Sequence, residues 1–187
     1  MSSLLTPAGF DLDARFDLDT VHSRDSFDCG TVVLFTCFDA GAPDGFTDAQ
    51  IDALCSWVNA GGGLLAIHSV ATAARHNTRL KALIGGSFIS HPPKARFIAD
   101  PVQDSHPIIQ GVEPFTVEDE LYLTDVDSSV RVHLTAQHEG RPQPLAWSRT
   151  QGLGRVVYFA LGHDESAWGL AAYQKIVVQS IGWLHAG

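Results

Sequence analysis

The sequence predicts an α/β fold, a doubly wound and mostly parallel sheet with helices on both faces. Two almost continuous apolar runs, TVVLFTCF at residues 31–38 and LLAIH at residues 64–68, are typical of strands covered on both sides. The segment between them has helical spacing, with Thr47 as its N-cap and Gln50 three residues later. Strand, helix and strand in this order indicate a right-handed crossover unit.

The rest of the chain supplies further elements of the same single domain, residues 1–187. FDLDARF at 10–16 alternates like an edge strand, and residues 77–86 form a short helix closed by glycines. RPQPLAWSR and RVVYFAL pair as a hairpin through the turn QGLG. A last helix runs from about 167 to 185, and KARFIA, EPFTVEDELYL and SVRVHLTAQH are extended.

Composition excludes several partners. The net charge is −9 and no block of Lys or Arg occurs. The protein therefore lacks the basic surface that binding to nucleic acid or to an anionic membrane requires. Three cysteines without C-x-x-C spacing favour a reducing compartment. No basic leader or long apolar run is present, and we therefore expect a cytoplasmic protein.

Two glycine-rich pieces, AGGG at 60–63 and GLG at 152–154, precede strands rather than helices. Their amides are therefore not directed at a phosphate by a helix N-terminus, and no nucleotide cofactor is expected. A nucleophilic role for Ser69 has little support, because AIHSVA lacks the glycines of G-x-S-x-G. Ser69 remains a candidate for substrate binding.

Histidines at strand ends are the strongest functional signal. His68 ends the strand LLAIH and His163 follows RVVYFAL, and open α/β sheets bind ligands outside the carboxyl ends of their strands. His91 lies in a loop, and Glu120 belongs to the alternating segment VEDELY. Imidazoles with a carboxylate suit a divalent metal, zinc first, or general acid/base catalysis. A surface histidine and a solvated strand face remain alternatives for His91 and Glu120.

Glu118 and Glu120 should point to one side of that strand and Asp119 to the other, because side chains alternate along a strand. The other histidines, His22, His76, His106, His133, His138 and His185, have polar, terminal or turn contexts, and we interpret them as surface or turn residues.

Several segments follow one another in order along the chain: GGGLLAIHS, LIGGSFISHP, DSHPIIQGV, EDELY, PLAWSR, GLGRVVYFALGHD and the C-terminal helix. Together they resemble the ThuA-like family, named for trehalose utilisation, over about residues 32–184. The resemblance implies the flavodoxin-like sheet of the class I glutamine amidotransferase superfamily, with His68 where that superfamily has its nucleophilic cysteine. It therefore implies a role in carbohydrate metabolism and excludes a glutamine amidotransferase.

Four residues match family motifs: His68 in AIHS, His91 in GGSFISHP, Glu120 in DELY and His163 in LGHD. Family members commonly open with a strand and a histidine-bearing loop, and we expect this chain to lack that usual first strand. Either part of the site is lost, or another copy supplies the strand by edge pairing in a homo-oligomer.

Two hypotheses follow. In the first, the chain is an enzyme acting on a sugar or keto-glycoside, as a hydrolase, lyase or isomerase. Its metal ligands are His68, His91 and His163, its catalytic groups are His68, Glu120 and His163, and its substrate contacts are Ser69, Trp147 and Trp168. The tryptophans are candidates for stacking on a pyranose, with core packing as the alternative for each. In the second hypothesis, the chain is a non-catalytic binding or assembly module.

Overall fold

A computed structural model describes residues 2–14, 27–35, 46–102 and 105–186. The helices are α1 (Ser2–Leu5), α2 (Asp48–Asn59), α3 (Val70–Ala74), α4 (Thr78–Ile84), α5 (Glu165–Trp168) and α6 (Ala171–His185), with a short 3-10 helix at Pro107–Ile109. The strands are β1 (Thr31–Phe35), β2 (Gly63–Ile67), β3 (Gly86–Ser90), β4 (Ala95–Pro101), β5 (Phe115–Asp119), β6 (Leu123–Val126), β7 (Arg131–His138), β8 (Arg141–Gln151) and β9 (Gly154–Phe159).

Seven strands form one sheet in the order β1-β2-β9-β8-β7-β4-β5, and β3 pairs with β6 in a second, two-stranded sheet. Only β1–β2 and β2–β9 pair in parallel within the large sheet. Its other four pairs are antiparallel. The fold is therefore mixed α/β, and the prediction of a mostly parallel sheet is wrong; a flavodoxin-like arrangement is not confirmed.

Short connections explain two of the four antiparallel pairs, β7–β8 and β8–β9. Only two residues, 139–140, join β7 to β8, and 152–153 join β8 to β9. Glu139 and Gly140 both have positive φ, at 49° and 74°, as type I′ turns require. A parallel neighbour needs a crossover of a dozen or more residues, so these strands can only pair antiparallel.

The predicted strand–helix–strand unit with parallel strands is confirmed in β1, α2 and β2, and its predicted right-handedness stays a prediction. Thr47 caps α2 through its side-chain oxygen, and Gln50 Oε1 accepts the Thr47 backbone N–H at 2.8 Å. Every residue of β2 is buried, as predicted, whereas β1 is only half-buried because it lies at the edge of the sheet. Residues 36–38 of the predicted first run lie outside the described part of the chain.

Other segment predictions had mixed outcomes. Helix α4 is confirmed: Asn77 caps its first turn, and Gly85 ends it with φ 78°. The predicted strand at 10–16 is not confirmed, because residues 10–14 form no strand and 15–16 are not described. The predicted last helix is two helices, since Leu170 is extended, with φ −77° and ψ 129°, and starts α6 as its N-cap.

The core contains the largest fully buried aromatic side chains, Trp147, Tyr158, Phe159 and Tyr173. Phe159 stacks on Tyr173 with ring centroids 4.9 Å apart, which packs α6 against β9, the strand between β2 and β8. Among the residues that the structure describes, no helix is both long and apolar enough to cross a membrane.

Candidate functional site

His68 follows the last residue of β2 in an uncommon backbone conformation, with φ 48°. Its N–H donates to Phe159 O at 2.8 Å, and the hydroxyl of Tyr158 donates to His68 O at 2.8 Å. A left-handed conformation costs a non-glycine residue about 1–2 kcal/mol. These two bonds to β9 hold His68 in the turn at the carboxyl end of β2.

The imidazole of His68 has one tautomer that suits its surroundings. Its Nδ1 lies 2.6 Å from Ala160 O, and because a carbonyl only accepts, Nδ1 carries the hydrogen. Burial lowers the pKa of His68, which favours the neutral ring. Nε2 then presents a lone pair. This atom is buried, and among the described residues it has no hydrogen-bond partner.

Glu120 faces three histidines from the residue after β5. Its Oε2 lies 3.4 Å from His68 Nε2 and 3.4 Å from His163 Nδ1, and its Oε1 lies 3.8 Å from His91 Nε2. The exposed fraction of the side chains rises outward, from 4% for His68 to 17% for Glu120 and 45% for His163. The structure therefore brings together all four of the residues that match family motifs.

A neutral His68 beside the Glu120 carboxylate puts two hydrogen-bond acceptors against each other. The lone pair of His68 Nε2 and the carboxylate oxygen 3.4 Å away repel unless a proton or a cation lies between them. Burial opposes the protonated form of His68. A bound cation satisfies both groups without charging the buried ring.

The donor set fits a divalent metal. One ligand atom each from His68, Glu120 and His163 lies within 4.8 Å of the others. In a tetrahedral zinc site with bonds of about 2.0–2.1 Å, neighbouring ligand atoms are roughly 3.4 Å apart, close to both contacts of Glu120 Oε2. The bond from His68 Nδ1 to a backbone carbonyl is also the outer contact that metal-binding histidines usually make.

The ring of His91, like that of His68, is oriented by a hydrogen bond from Nδ1 to a backbone carbonyl. Its Nδ1 lies 2.8 Å from Pro92 O, so Nδ1 carries the hydrogen and Nε2 is directed at Glu120. His91 approaches the other carboxylate oxygen and lies outside the compact group of three. His91 lies at the solvent-exposed side of the group formed by His68, Glu120 and His163, which we call the centre.

Asp119 is a functional candidate that the sequence reasoning missed. Its carboxylate is buried and accepts the Gly162 N–H at 2.7 Å and the His163 N–H at 3.3 Å. Burial raises the pKa of Asp119. The signal was present in the sequence: Val117 is two residues earlier in the same strand, so Asp119 shares its buried side.

Tyr122 was also missed. Its buried ring stacks on His68 at 4.1 Å between centroids and on His91 at 5.9 Å. The segment 119–122 therefore contacts all three histidines, through Asp119, Glu120 and Tyr122. The spacing of Tyr122 two residues after Glu120 does not predict a contact with histidines elsewhere in the chain. The contacts of Tyr122 with His68 and His91 are therefore visible only in the structure.

An ion pair joins the two loops at the outer side of the centre. Lys94, three residues after His91, contacts Asp164 and donates to Ser166 Oγ at 3.3 Å. The lysine holds the pKa of Asp164 at about 2. This contact keeps the loop of His91 against the turn of His163.

The three predicted substrate residues lie in different environments. Ser69 adjoins His68, and its carbonyl accepts from Thr72 Oγ1 at 2.7 Å. Trp147 is fully buried and donates to Ile84 O at 2.7 Å, so no face of its ring is open to a sugar and core packing explains it. Trp168 is 40% exposed and donates to Gly162 O at 2.7 Å, directly beside His163.

Comparison with known proteins gives a family match and several structures of similar fold. Residues 2–184 match the family model for trehalose utilisation, ThuA. No curated protein sequence matches the chain. Among solved structures, a ThuA-like protein from Parabacteroides merdae ATCC 43184 is 18% identical with a TM-score of 0.82, covering 100% of this chain and 83% of that one.

Two further structures share the fold. A ThuA-like protein from Bacteroides uniformis ATCC 8492 is 17% identical with a TM-score of 0.80, covering 98% of this chain and 82% of that one. A protein of Salmonella typhimurium, described as cytoplasmic, is 16% identical with a TM-score of 0.75, covering 97% and 84%. At these identities the likeness is one of fold.

Proposed function

The chain belongs to the ThuA family of trehalose utilisation, and we propose that it acts on a sugar or a keto-glycoside at a divalent-metal site. The family associates the chain with carbohydrate metabolism. The observation that carries the metal site is the contact between His68 Nε2 and Glu120 Oε2 at 3.4 Å, two acceptors that repel each other unless a proton or a cation lies between them. Zinc is the metal that this set of nitrogen and oxygen ligands favours.

In this proposal His68 Nε2, Glu120 Oε2 and His163 Nδ1 hold the metal, and His91 approaches as a fourth group from the exposed side. A bound divalent cation supplies a Lewis acid that polarises a sugar oxygen or acidifies a water. Ala160 fixes the ring of His68 through its carbonyl. Glu120 Oε1, the carboxylate oxygen that is not assigned to the metal, is the atom left on these residues for moving a proton to or from a sugar hydroxyl.

Metal content is the first test. Tag-free protein, exposed to zinc and then dialysed, should contain one zinc per chain by mass spectrometry. Replacing His68, Glu120 or His163 by Gln should weaken zinc binding at least tenfold, by loss of a ligand. His76→Gln is the matched control, because His76 is an exposed turn histidine. A wild type that binds no stoichiometric divalent metal, with unchanged thermal stability on adding zinc, would contradict the proposal.

Turnover is the second test. Metal-loaded protein is incubated with trehalose and with an enzymatically oxidised keto derivative, and the products are followed by proton NMR. Conversion that His163→Gln abolishes supports an enzyme. Zinc binding without conversion of any sugar tested would favour the non-catalytic binding module instead.

A further inference from the structure

Two exposed aromatic rings contact each other beside the turn that carries His163. Phe35 is 41% exposed and Trp168 is 40% exposed, and their centroids lie 5.2 Å apart at an interplanar angle of 76°. They are the only aromatic side chains among the large exposed hydrophobic residues of the described part of the chain. Exposed apolar rings in contact with each other indicate a binding surface more than a folding requirement.

Both rings belong to elements that form the candidate site. Phe35 is the last residue of β1 and is in register with Ile67, the residue before His68. Trp168 donates its indole N–H to Gly162 O, the residue before His163. The pair therefore lies at the carboxyl ends of the parallel strands, where open α/β sheets bind ligands.

The ring of Trp168 is held in one orientation. Its indole N–H is anchored at 2.7 Å on Gly162 O, and the backbone that carries the ring is held separately, because Gln174 Nε2 donates to the Trp168 carbonyl at 2.9 Å. The edge-to-face contact with Phe35 supports it from another side. A ligand that stacks on an already fixed ring loses little conformational entropy in the protein, so such a surface binds at low cost.

We infer that Phe35 and Trp168 form a stacking surface for a pyranose ring of the substrate bound at His68, Glu120 and His163. The C–H face of a pyranose is flat and apolar, and it packs on aromatic rings while the hydroxyls stay hydrated. The inference rests on the proposed function for the identity of the neighbouring site. It adds the second point of contact that would orient a sugar there.

Fluorine NMR on metal-loaded protein labelled with 5-fluorotryptophan tests the inference directly. The chain has four tryptophans, and Trp168→Phe identifies the signal of Trp168. Methyl α-D-glucopyranoside and trehalose are the probes, and binding is measured independently by saturation transfer to the sugar protons. We expect the Trp168 signal to shift on binding and the signal of buried Trp147 to stay unchanged.

Variants give the second readout. Trp168→Ala and Phe35→Ala should each weaken sugar binding about two- to tenfold, the size of one aromatic contact. Phe35→Ala leaves the Gly162 anchor intact, so a folding defect at Trp168 cannot account for both losses. Leu153→Ala is the control, because Leu153 is a 79% exposed apolar residue in the β8–β9 turn.

Two results would overturn the inference: sugar binding that leaves the Trp168 signal and both affinities unchanged, or no binding of either sugar at millimolar concentration. Zinc content, measured on the same samples, tests the metal site separately from the stacking surface. If the protein binds sugar on Trp168 but contains no zinc, the stacking surface is supported and the proposed metal site is contradicted.

Discussion

The carboxylate of Asp119 accepts the backbone N–H of Gly162 at 2.7 Å, which joins the end of β5 to the turn after β9. Glu120 and His163, the next residue on each side, are positioned relative to each other by this bond. The most deeply buried carboxylate of the site therefore contacts backbone, whereas its neighbour Glu120 contacts the imidazoles.

Asp119→Asn should weaken zinc binding about tenfold, in the range found for outer contacts of metal ligands. The amide keeps one acceptor oxygen but removes the negative charge and replaces the other acceptor with a donor. Glu118→Gln is the matched control, since it removes the same charge from the opposite side of the strand, where Glu118 pairs with Arg96. Calorimetric titration with zinc is the measurement; equal affinities for wild type and Asp119→Asn would refute the role.

Gly162→Ala should destabilise the protein by roughly 2 kcal/mol or more. Gly162 has φ +124°, and an added Cβ would lie 2.7 Å from the hydroxyl of Tyr173. Gly182→Ala, in the exposed side of α6 with nothing within 4 Å, should instead stabilise by up to about 1 kcal/mol. Urea unfolding gives both values. Equal effects of the two substitutions would contradict the strained geometry of the His163 turn.

Metal-free protein should lose stability on acidification through His68. Burial lowers the pKa of His68, so the unfolded chain takes up this proton at higher pH than the folded chain. The contribution of neutral His68 to the free energy of unfolding is complete above its usual pKa of 6.5. It disappears as the pH falls through the lower pKa that His68 has in the folded protein. Urea unfolding between about pH 7.5 and pH 5.5 should show a steeper decline for wild type than for His68→Gln.

The slope that one proton can add is at most about 1.4 kcal/mol per pH unit. His76→Gln, which removes an exposed histidine, should retain the wild-type decline. If His68→Gln and wild type decline in parallel, the pKa of His68 is not lowered in the folded protein.

Lys94→Met should raise the pKa of Asp164 from about 2 toward 3.8, because the lysine contact is the main cause of its low value. The backbone N–H of Ser166 still donates to Asp164, so the rise should stop short of the full value. Carbon-detected NMR titration of the side-chain carboxyl measures it. Lys81→Met, which breaks the separate pair with Asp125, should leave Asp164 unchanged.

The fold could be predicted wherever local pattern decides the structure. The capping box of α2, the buried run of β2 and the hairpin β8–β9 follow from adjacent residues. Strand pairing does not: Asp100 pairs with Thr135 across 35 residues, and the pattern of β4 carries no information about that partner. Strand direction also depends on the length of the connections, and the two-residue turns before and after β8 make the pairs β7–β8 and β8–β9 antiparallel. The apolar runs of β1 and β2 indicate a parallel pair but carry no information about those later strands.

The site, like the fold, could be predicted only in part from the sequence. His68 and His163 follow buried strands whose parallel pairing places both ends at one edge of the sheet, so their proximity could be expected. Glu120 reaches them from β5, the far strand of the sheet order, and only the chain's three-dimensional path brings it there. Trp147 and Trp168 are the same residue type with different burial, and sequence alone could not separate them.

His68, Glu120 and His163 belong to segments about fifty and forty residues apart, and a ligand that needs all three can bind only after those segments have met. Contacts so distant in sequence tend to form late in folding, because the loops between them must close first. A cation at this centre would therefore leave the folding rate almost unchanged and slow unfolding instead. The residues that serve chemistry would also set how long each folded molecule survives.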